Sequence, residues 1–387
     1  GASRRDVKVG DETIRVYRTK PKPGQLKIEE IALSWNSERL IASDREQVVK
    51  ELLDVAAGKS PQREFSERKS FQRVQADSYL AMNKANEKGA TVCWEWYAEP
   101  FAMGRILREV FEYDRGGNLD VLQLLERQGF GVIEALGGVG VVAGERFDVL
   151  HRGVVLAPGK LVKAARMLQT FNTKRQGVPA WPAAESGAFY RLNWDVEPSF
   201  WAAESLVNDA LDDDLFRPMI EGIRDDPEGP QIDLAKDFLP NLDDEVILVT
   251  DNTLPVGPES DRILVAVRIK NADAVARVVR KAMEVEPDAI KLDFPDFDVW
   301  KVEQGEGEED IDAELAELGF GEDLEAEETT PLLNHWAIAV VTGKAPNQPD
   351  YLMFSSHPDL LIKFGKRVQS GVKGDGMATT EATQRVI

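Results

Sequence analysis

The feature that most constrains the fold is a sequence pattern that occurs near both ends of the chain, in which short strands are followed by an amphipathic helix. Residues 30–53 begin with two strands, Ile31 to Trp35 and Arg39 to Ala42, and continue into apolar residues at helical spacing. Ser43 and Glu46 have the spacing of a capping box, which predicts that the Ser43 hydroxyl accepts the Glu46 N–H. The pattern predicts two paired strands covered by one helix.

The same pattern returns at residues 335–364, where two strands, 335–341 and 351–355, precede another helix. Ser356 and Asp359 again have capping-box spacing, and Leu360, Leu361 and Phe364 form the apolar face. A strand precedes each copy, at residues 14–16 and 300–302. The recurrence indicates an internal repeat.

A second recurrence lies in the middle of the chain. Two strands end in Trp96 to Pro100 and Trp194 to Pro198, and each proline is predicted to occupy the first position of a helix. Each helix is followed by a strand pair, 130–143 with 147–156 and 245–250 with 262–269. Helices over 160–168 and 272–283 come next, with Asn271 as the N-cap of the second.

This order predicts an α+β protein with internally repeated, mainly antiparallel β-sheets and amphipathic helices packed on one face. Residues 1–90 are interpreted as a partial repeat unit, truncated at its N-terminus, so we expect the natural protein to extend further in that direction. Residues 91–190 form a strand, helix, hairpin and helix. Residues 191–387 form a second, more complete unit with an acidic insertion at 303–328.

The net charge of −21 is concentrated in that insertion, which holds 13 acidic residues between Glu303 and Glu328 and leaves −8 for the remainder. A chain of this sign is a poor partner for nucleic acid. Ile311, Leu315 and Leu318 have helical spacing within the insertion. It is interpreted either as a disordered surface insertion or as a docking segment for a basic partner.

No catalytic, cofactor or metal site is predicted. Cys93 is the one cysteine and is expected to be a buried small hydrophobe. Gly138 and Gly140 resemble part of a dinucleotide motif, but a strand follows them, which favours a hairpin or bulge. The three histidines, His151, His335 and His357, lack metal-ligand spacing. Acidic clusters at 212–214, 225–228 and 243–245 are expected to be solvated loops, with calcium binding as the alternative.

The tryptophans offer the one candidate binding feature. Trp94 and Trp96 are two residues apart in a predicted strand and share one sheet face, and Trp194 ends the corresponding strand of the next unit. Core packing is the simpler interpretation. The alternative is stacking of a ligand on exposed rings.

Two strand-to-helix runs, Arg262–Arg268 into Ala272–Val279 and Arg39–Asp44 into Val48–Leu53, resemble those of large exported proteins of planctomycete bacteria that carry a domain of unknown function. The resemblance covers most of the chain and implies export to the periplasm or cell envelope. It also implies an array of curved sheets with helices. It supplies no catalytic residues, and the acidic insertion is not part of its pattern.

These patterns favour a non-enzymatic scaffolding or binding protein of the cell envelope, with an unknown protein or glycan partner. A metal-assisted hydrolase that uses scattered carboxylates and a histidine is one alternative. A carrier that holds an apolar ligand between sheet and helices is another. No apolar run is long enough to span a membrane.

Overall fold

The computed structural model describes residues 3–18, 30–59, 65–84, 91–110, 120–142, 147–173, 177–257, 260–303, 335–344, 348–371 and 374–386. The chain divides into two compact units, Gly1–Arg73 and Val74–Ile387. Its sheets are antiparallel and its helices are amphipathic, which confirms the predicted α+β class. The internal repeat and the three-unit division stay predictions.

The smaller unit is a four-stranded antiparallel meander with one helix on it. Its strands and helix are β1 (Ser3–Val9), β2 (Glu12–Arg18), β3 (Glu30–Trp35), β4 (Leu40–Ser43) and α1 (Glu46–Ala56). Buried side chains of the sheet and of α1 form its core: Ile14, Val16, Ala32, Val49 and Leu53. The strands and the helix predicted for residues 30–53 are thus confirmed, and Gly58 ends the helix with a φ of 69°.

The predicted capping boxes do not form. Glu46 N–H donates to Glu30 Oε1 at 2.9 Å, and the Ser43 hydroxyl accepts instead from Arg45 N–H at 3.2 Å. Ser43 is the last residue of β4, so the N-cap position falls two residues later, at Arg45. Strand pairing therefore extended one residue further than the capping pattern implied.

The second box fails for a similar reason. The Ser356 hydroxyl accepts the Ile263 N–H at 2.9 Å, so its hydrogen bond is made to the neighbouring strand and not to the helix. His357 occupies the N-cap position. The Asp359 carboxylate accepts from Arg262 at 3.0 Å. The Asn271 cap is confirmed, since its side chain accepts the Ala274 N–H at 3.1 Å.

The rest of the chain contains a seven-stranded and a three-stranded antiparallel sheet with several helices. The helices are α2 (Lys69–Lys84), α3 (Pro100–Val110), α4 (Val121–Arg127), α5 (Val196–Leu211), α6 (Phe216–Asp225), α7 (Ala272–Val285), α8 (Pro358–Ser370) and α9 (Glu381–Val386). The strands are β5 (Val92–Ala98), β6 (Ala135–Val142), β7 (Val149–Leu156), β8 (Ala188–Asn193), β9 (Leu242–Asn252), β10 (Asp261–Ile269), β11 (Ala289–Lys291), β12 (Val299–Glu303), β13 (His335–Val341) and β14 (Asp350–Ser355).

The seven-stranded sheet has the order β11–β12–β13–β14–β10–β9–β8. On one face, Leu360, Leu361 and Phe364 of α8 pack against buried strand residues. On the other face, α7 packs against alternate residues of the same strands, with α5 beside it. The prediction of helices on one face is therefore wrong for this sheet. The near-continuous apolar run of β13 is the pattern expected of a strand buried on both sides.

Three local predictions also need correction. The segment predicted as a helix at 160–168 is a 3-10 helix over Lys163–Leu168, and it begins later than predicted because Val162 is extended and Lys163 adopts a φ of 48°. Pro198 is the third residue of α5, whereas Pro100 begins α3 as predicted. Cys93 is exposed, because an irregularity in the pairing between Val92 and Trp94 leaves it outside the ladder with β6.

A buried polar cluster lies on the α8 face of the seven-stranded sheet. Glu245 is 3% exposed and accepts from Arg191 Nε at 2.9 Å and from the Tyr351 hydroxyl at 3.1 Å. Arg191 also donates to the Gly177 carbonyl at 2.9 Å. Burial and the nearby Glu245 carboxylate raise the pKa of Tyr351 well above its ordinary value.

This raised pKa predicts a loss of stability at high pH. Between the unfolded-state pKa of about 10 and the higher folded-state pKa, the unfolded chain releases a proton that folded Tyr351 retains, so unfolding becomes easier as pH rises. We expect the stability advantage of the wild type over Tyr351→Phe to shrink above about pH 10, by at most ~1.4 kcal/mol per pH unit. Urea unfolding of both proteins at pH 8 to 11 measures this difference. A pH-independent difference would show that Tyr351 titrates normally.

In the part of the chain that the structure describes, no helix is both long and apolar enough to cross a bilayer.

Candidate binding surface

The three-stranded sheet has one covered face and one open face. Strand order is β5–β6–β7, and Val139, Val141 and Leu150 pack beneath Met82 of α2 on the covered side. Because successive side chains alternate, Trp94 and Trp96 lie on the opposite side, where their exposed fractions are 37% and 40%. The predicted sharing of one face is confirmed, and both rings are accessible.

Two glycines of β6 form a floor beneath these rings. In the register, Trp94 is opposite Gly140 and Trp96 is opposite Gly138. A Cβ on Gly140 would lie 2.0 Å from Trp94 Cζ2, and one on Gly138 would lie 2.8 Å from Trp96 Nε1. A Cβ in a strand points straight out of the sheet, so the Trp94 indole lies across the Gly140 backbone, while Trp96 places the nitrogen edge of its ring over Gly138. The glycines are thus required by close approach of a ring, within a regular strand.

His151 of β7 completes the surface. Its Nε2 accepts the Trp96 indole N–H at 2.8 Å, and since an indole nitrogen only donates, the neutral ring carries its proton on Nδ1. The His151 ring makes interplanar angles of 6° with Trp94 and 22° with Trp96, at centroid distances of 6.5 and 6.0 Å. A hydrogen bond between two ring nitrogens lies in both ring planes, so Trp96 and His151 meet edge to edge. We call Trp94, Trp96 and His151 the aromatic platform.

The apolar surface extends beyond these rings. Val142, Val149 and Val155 lie on the same side of the sheet by register, with exposed fractions of 44%, 56% and 63%. Alternation places Glu95 and Arg152 on the covered side. Within the described ranges of these three strands, the open face therefore carries no Asp, Glu, Lys or Arg.

Trp194 lies elsewhere. It follows β8 of the seven-stranded sheet, is half-buried, and donates its indole N–H to the Met167 carbonyl at 2.6 Å. The structure thus brings Trp94 and Trp96 together but places Trp194 in a different environment.

Sequence reasoning missed Gly138, Gly140 and His151 as parts of this surface. From sequence, His151 is noted only as lacking metal-ligand spacing, and the glycines are expected to form a hairpin or bulge. The alternation of β5 combined with glycines at every second position of a neighbouring strand was an available signal. This signal identifies the surface only once the register of β5 against β6 is known.

The other sites considered from sequence remain dispersed. The histidines lie on β7, at the start of β13 and at the N-terminus of α8. Within the residues the structure describes, no group of three or more His, Cys, Asp or Glu side chains is arranged to hold a metal ion. Among the acidic clusters, Asp225 pairs with Arg224 at 2.7 Å and Asp243 with Arg268 at 2.5 Å. The expected solvated loop at 243–245 is wrong, because these residues belong to β9 and Glu245 is buried. The acidic insertion predicted at 303–328 lies outside the described ranges except for Glu303, the last residue of β12.

Cavities open at the surface of the larger unit, and two of them are lined wholly by residues that the structure describes. One of about 250 Å³ is lined by Glu99, Arg105, Glu126 and Glu134 among others, and one of about 130 Å³ by Trp201, Arg217, Arg224, Asp233 and Lys236 among others. Both linings mix charged with apolar side chains, the latter including Ile133 in the first and Trp201 and Leu234 in the second.

Comparison with known proteins finds no matching family model, curated protein or solved structure.

Proposed function

We propose that this chain is a non-enzymatic binding protein of the cell envelope and that the aromatic platform contacts its ligand, a glycan. The observation that carries the proposal is the flat, exposed arrangement of Trp94, Trp96 and His151 over two glycines. Exposed apolar area is unfavourable in water by roughly 25 cal/mol per Å², so an apolar patch of this kind typically marks a binding site.

Sugar chemistry fits this surface. A pyranose ring presents axial C–H bonds on its faces and hydroxyls around its edge, so a face packs on an aromatic ring while the hydroxyls stay hydrated. The His151 Nε2 is used by the bond to Trp96, so the Nδ1–H is the group that can donate to a ring or hydroxyl oxygen of the sugar. The platform therefore offers the two kinds of contact that a glycan makes.

Other ligand classes fit less well. Protein interfaces concentrate their affinity in side chains that project into pockets, whereas these rings lie flat. Single-stranded nucleic acid also stacks on aromatic rings, but it needs cations along its path. The described strand residues of this face carry none, and the net charge is −21. A small apolar ligand would remain largely exposed to water on an open sheet.

The test is binding of the protein to insoluble cell-wall polysaccharides and to a glycan array. We expect Trp96→Ala to weaken binding at least about fivefold, taking as the scale the about 1–3 kcal/mol that a ring stacked on an aromatic side chain contributes in nucleic-acid complexes. Tyr190→Ala is the matched control, because Tyr190 is an aromatic residue of β8 that is 61% exposed and lies on the other sheet. It should bind like the wild type.

Two results would count against the proposal: no glycan retained by the wild type, or equal retention of the wild type and Trp96→Ala. The envelope location rests on the resemblance to exported planctomycete proteins. Fractionation of cells that make the natural protein tests it independently, with recovery in the cytoplasm as the contrary result.

A further inference from the structure

We propose that the platform recognises one class of glycan: neutral, extended β-1,4-linked chains of hexopyranoses with equatorial substituents, the chemistry shared by cellulose and chitin. This inference rests on the proposed function and adds the linkage, charge and length of the ligand. Three features of the open face carry it.

The first feature is length. Val149 and Val155 lie on β7 on either side of His151, six residues apart, which corresponds to about 20 Å of strand. The open apolar face therefore extends well beyond one sugar ring. A surface that binds a terminal or single sugar would instead be a pocket that encloses it. The open strip matches an internal stretch of a chain.

The second feature is planarity. The His151 ring is parallel to Trp94 within 6° and to Trp96 within 22°, and the rings lie over the glycine backbone of β6. A ligand that contacts all of them must place successive sugar faces in nearly one plane. β-1,4-linked equatorial chains are ribbons of this shape, with axial C–H bonds on both faces of every residue. α-1,4-linked glucans coil, so their successive rings cannot lie on one flat surface.

The third feature is charge. Among the described residues of β5, β6 and β7, the open face carries no charged side chain of Asp, Glu, Lys or Arg. Polysaccharides that contain uronic acids or sulfates would meet no cation there, and burying their charges without a partner is costly. A neutral chain meets no such penalty.

The experiment is calorimetric titration of the full chain with soluble hexasaccharides of four kinds: β-1,4-glucose, β-1,4-N-acetylglucosamine, β-1,3-glucose and α-1,4-glucose. We expect one or both β-1,4 hexasaccharides to bind at least about tenfold more tightly than the other two. We also expect the corresponding disaccharide to bind more weakly than its hexasaccharide, because it covers less of the strip. The first two titrations distinguish a cellulose-type from a chitin-type ligand.

A substitution beneath the rings tests whether flatness itself matters. Gly138→Ala keeps Trp96 and His151 but places a methyl group 2.8 Å from Trp96 Nε1 and 2.6 Å from His151 Nε2, so the rings must tilt. We expect β-1,4 affinity to fall about tenfold. Gly222→Ala is the matched control, since Gly222 lies in α6 with open space around it, and it should bind like the wild type.

Because Gly138→Ala also crowds the Arg152 carbonyl, each variant is first compared with the wild type by circular dichroism and thermal unfolding. If it is misfolded, Trp96→Phe, which shortens the platform at an exposed position, replaces it with the same expected direction. Tight binding of α-1,4-glucose, or equal affinity for disaccharide and hexasaccharide, overturns this inference and leaves glycan binding intact. Failure of every glycan to bind overturns both.

Discussion

Replacing Glu245 with alanine is expected to lower the free energy of unfolding of the larger unit by about 3–5 kcal/mol. The carboxylate is 3% exposed and pairs with Arg191, whose side chain is 17% exposed. Removing it takes away the carboxylate that balances the charge of the Arg191 guanidinium, which keeps its bond to the Gly177 carbonyl, and it takes away the acceptor of the Tyr351 hydroxyl. The effect comes mainly from this uncompensated charge, since the intact buried pair itself contributes little net stability.

Urea unfolding followed by tryptophan fluorescence measures the change, with the m-value checked for constancy. Asp225→Ala is the control, because its ion pair with Arg224 is exposed, and its midpoint should match the wild type within error. The double variant Arg191→Ala/Glu245→Ala should lose less than the sum of the two single losses. Strict additivity would mean that the pair is not coupled and that the argument from the buried charge is wrong.

Phe364→Ala is expected to cost about 3–5 kcal/mol of stability as well, for a different reason. Phe364 is fully buried on α8 and packs against the Trp181 ring at a centroid distance of 5.7 Å, in the cluster that joins α8 to the seven-stranded sheet. Truncation removes the buried aromatic surface and leaves a cavity that the close-packed cluster fills only in part.

The matched control is Phe171→Ala, at a phenylalanine that is 41% exposed. It should cost clearly less than Phe364→Ala, because the Phe171 side chain is already partly exposed and its truncation removes less buried surface and leaves no enclosed cavity. The same urea titration measures both variants. A loss below about 1 kcal/mol for Phe364→Ala would mean that α8 is not anchored through this side chain.

Local patterns were sufficient for most strands and helices. Hydrophobic alternation and helical spacing depend on neighbouring residues, so β3, β4, α1 and the pairing of β9 with β10 were predicted correctly. The errors occurred where one element competes with another. Ser43 is the last residue of β4, and the Ser356 hydroxyl accepts a backbone N–H of β10. Neither serine therefore acts as the predicted helix cap.

The amino-acid sequence by itself determined the α+β class, the antiparallel pairings and the shared face of Trp94 and Trp96, because each follows from the two-residue period of a strand. The tertiary structure alone decided that those indoles lie flat and accessible, that glycines 138 and 140 support them, and that His151, 55 residues from Trp96, extends their plane. It also decided that Glu245 meets Tyr351 from 106 residues away. Contacts at such separations depend on strand order and register across a whole sheet, and no local period encodes them.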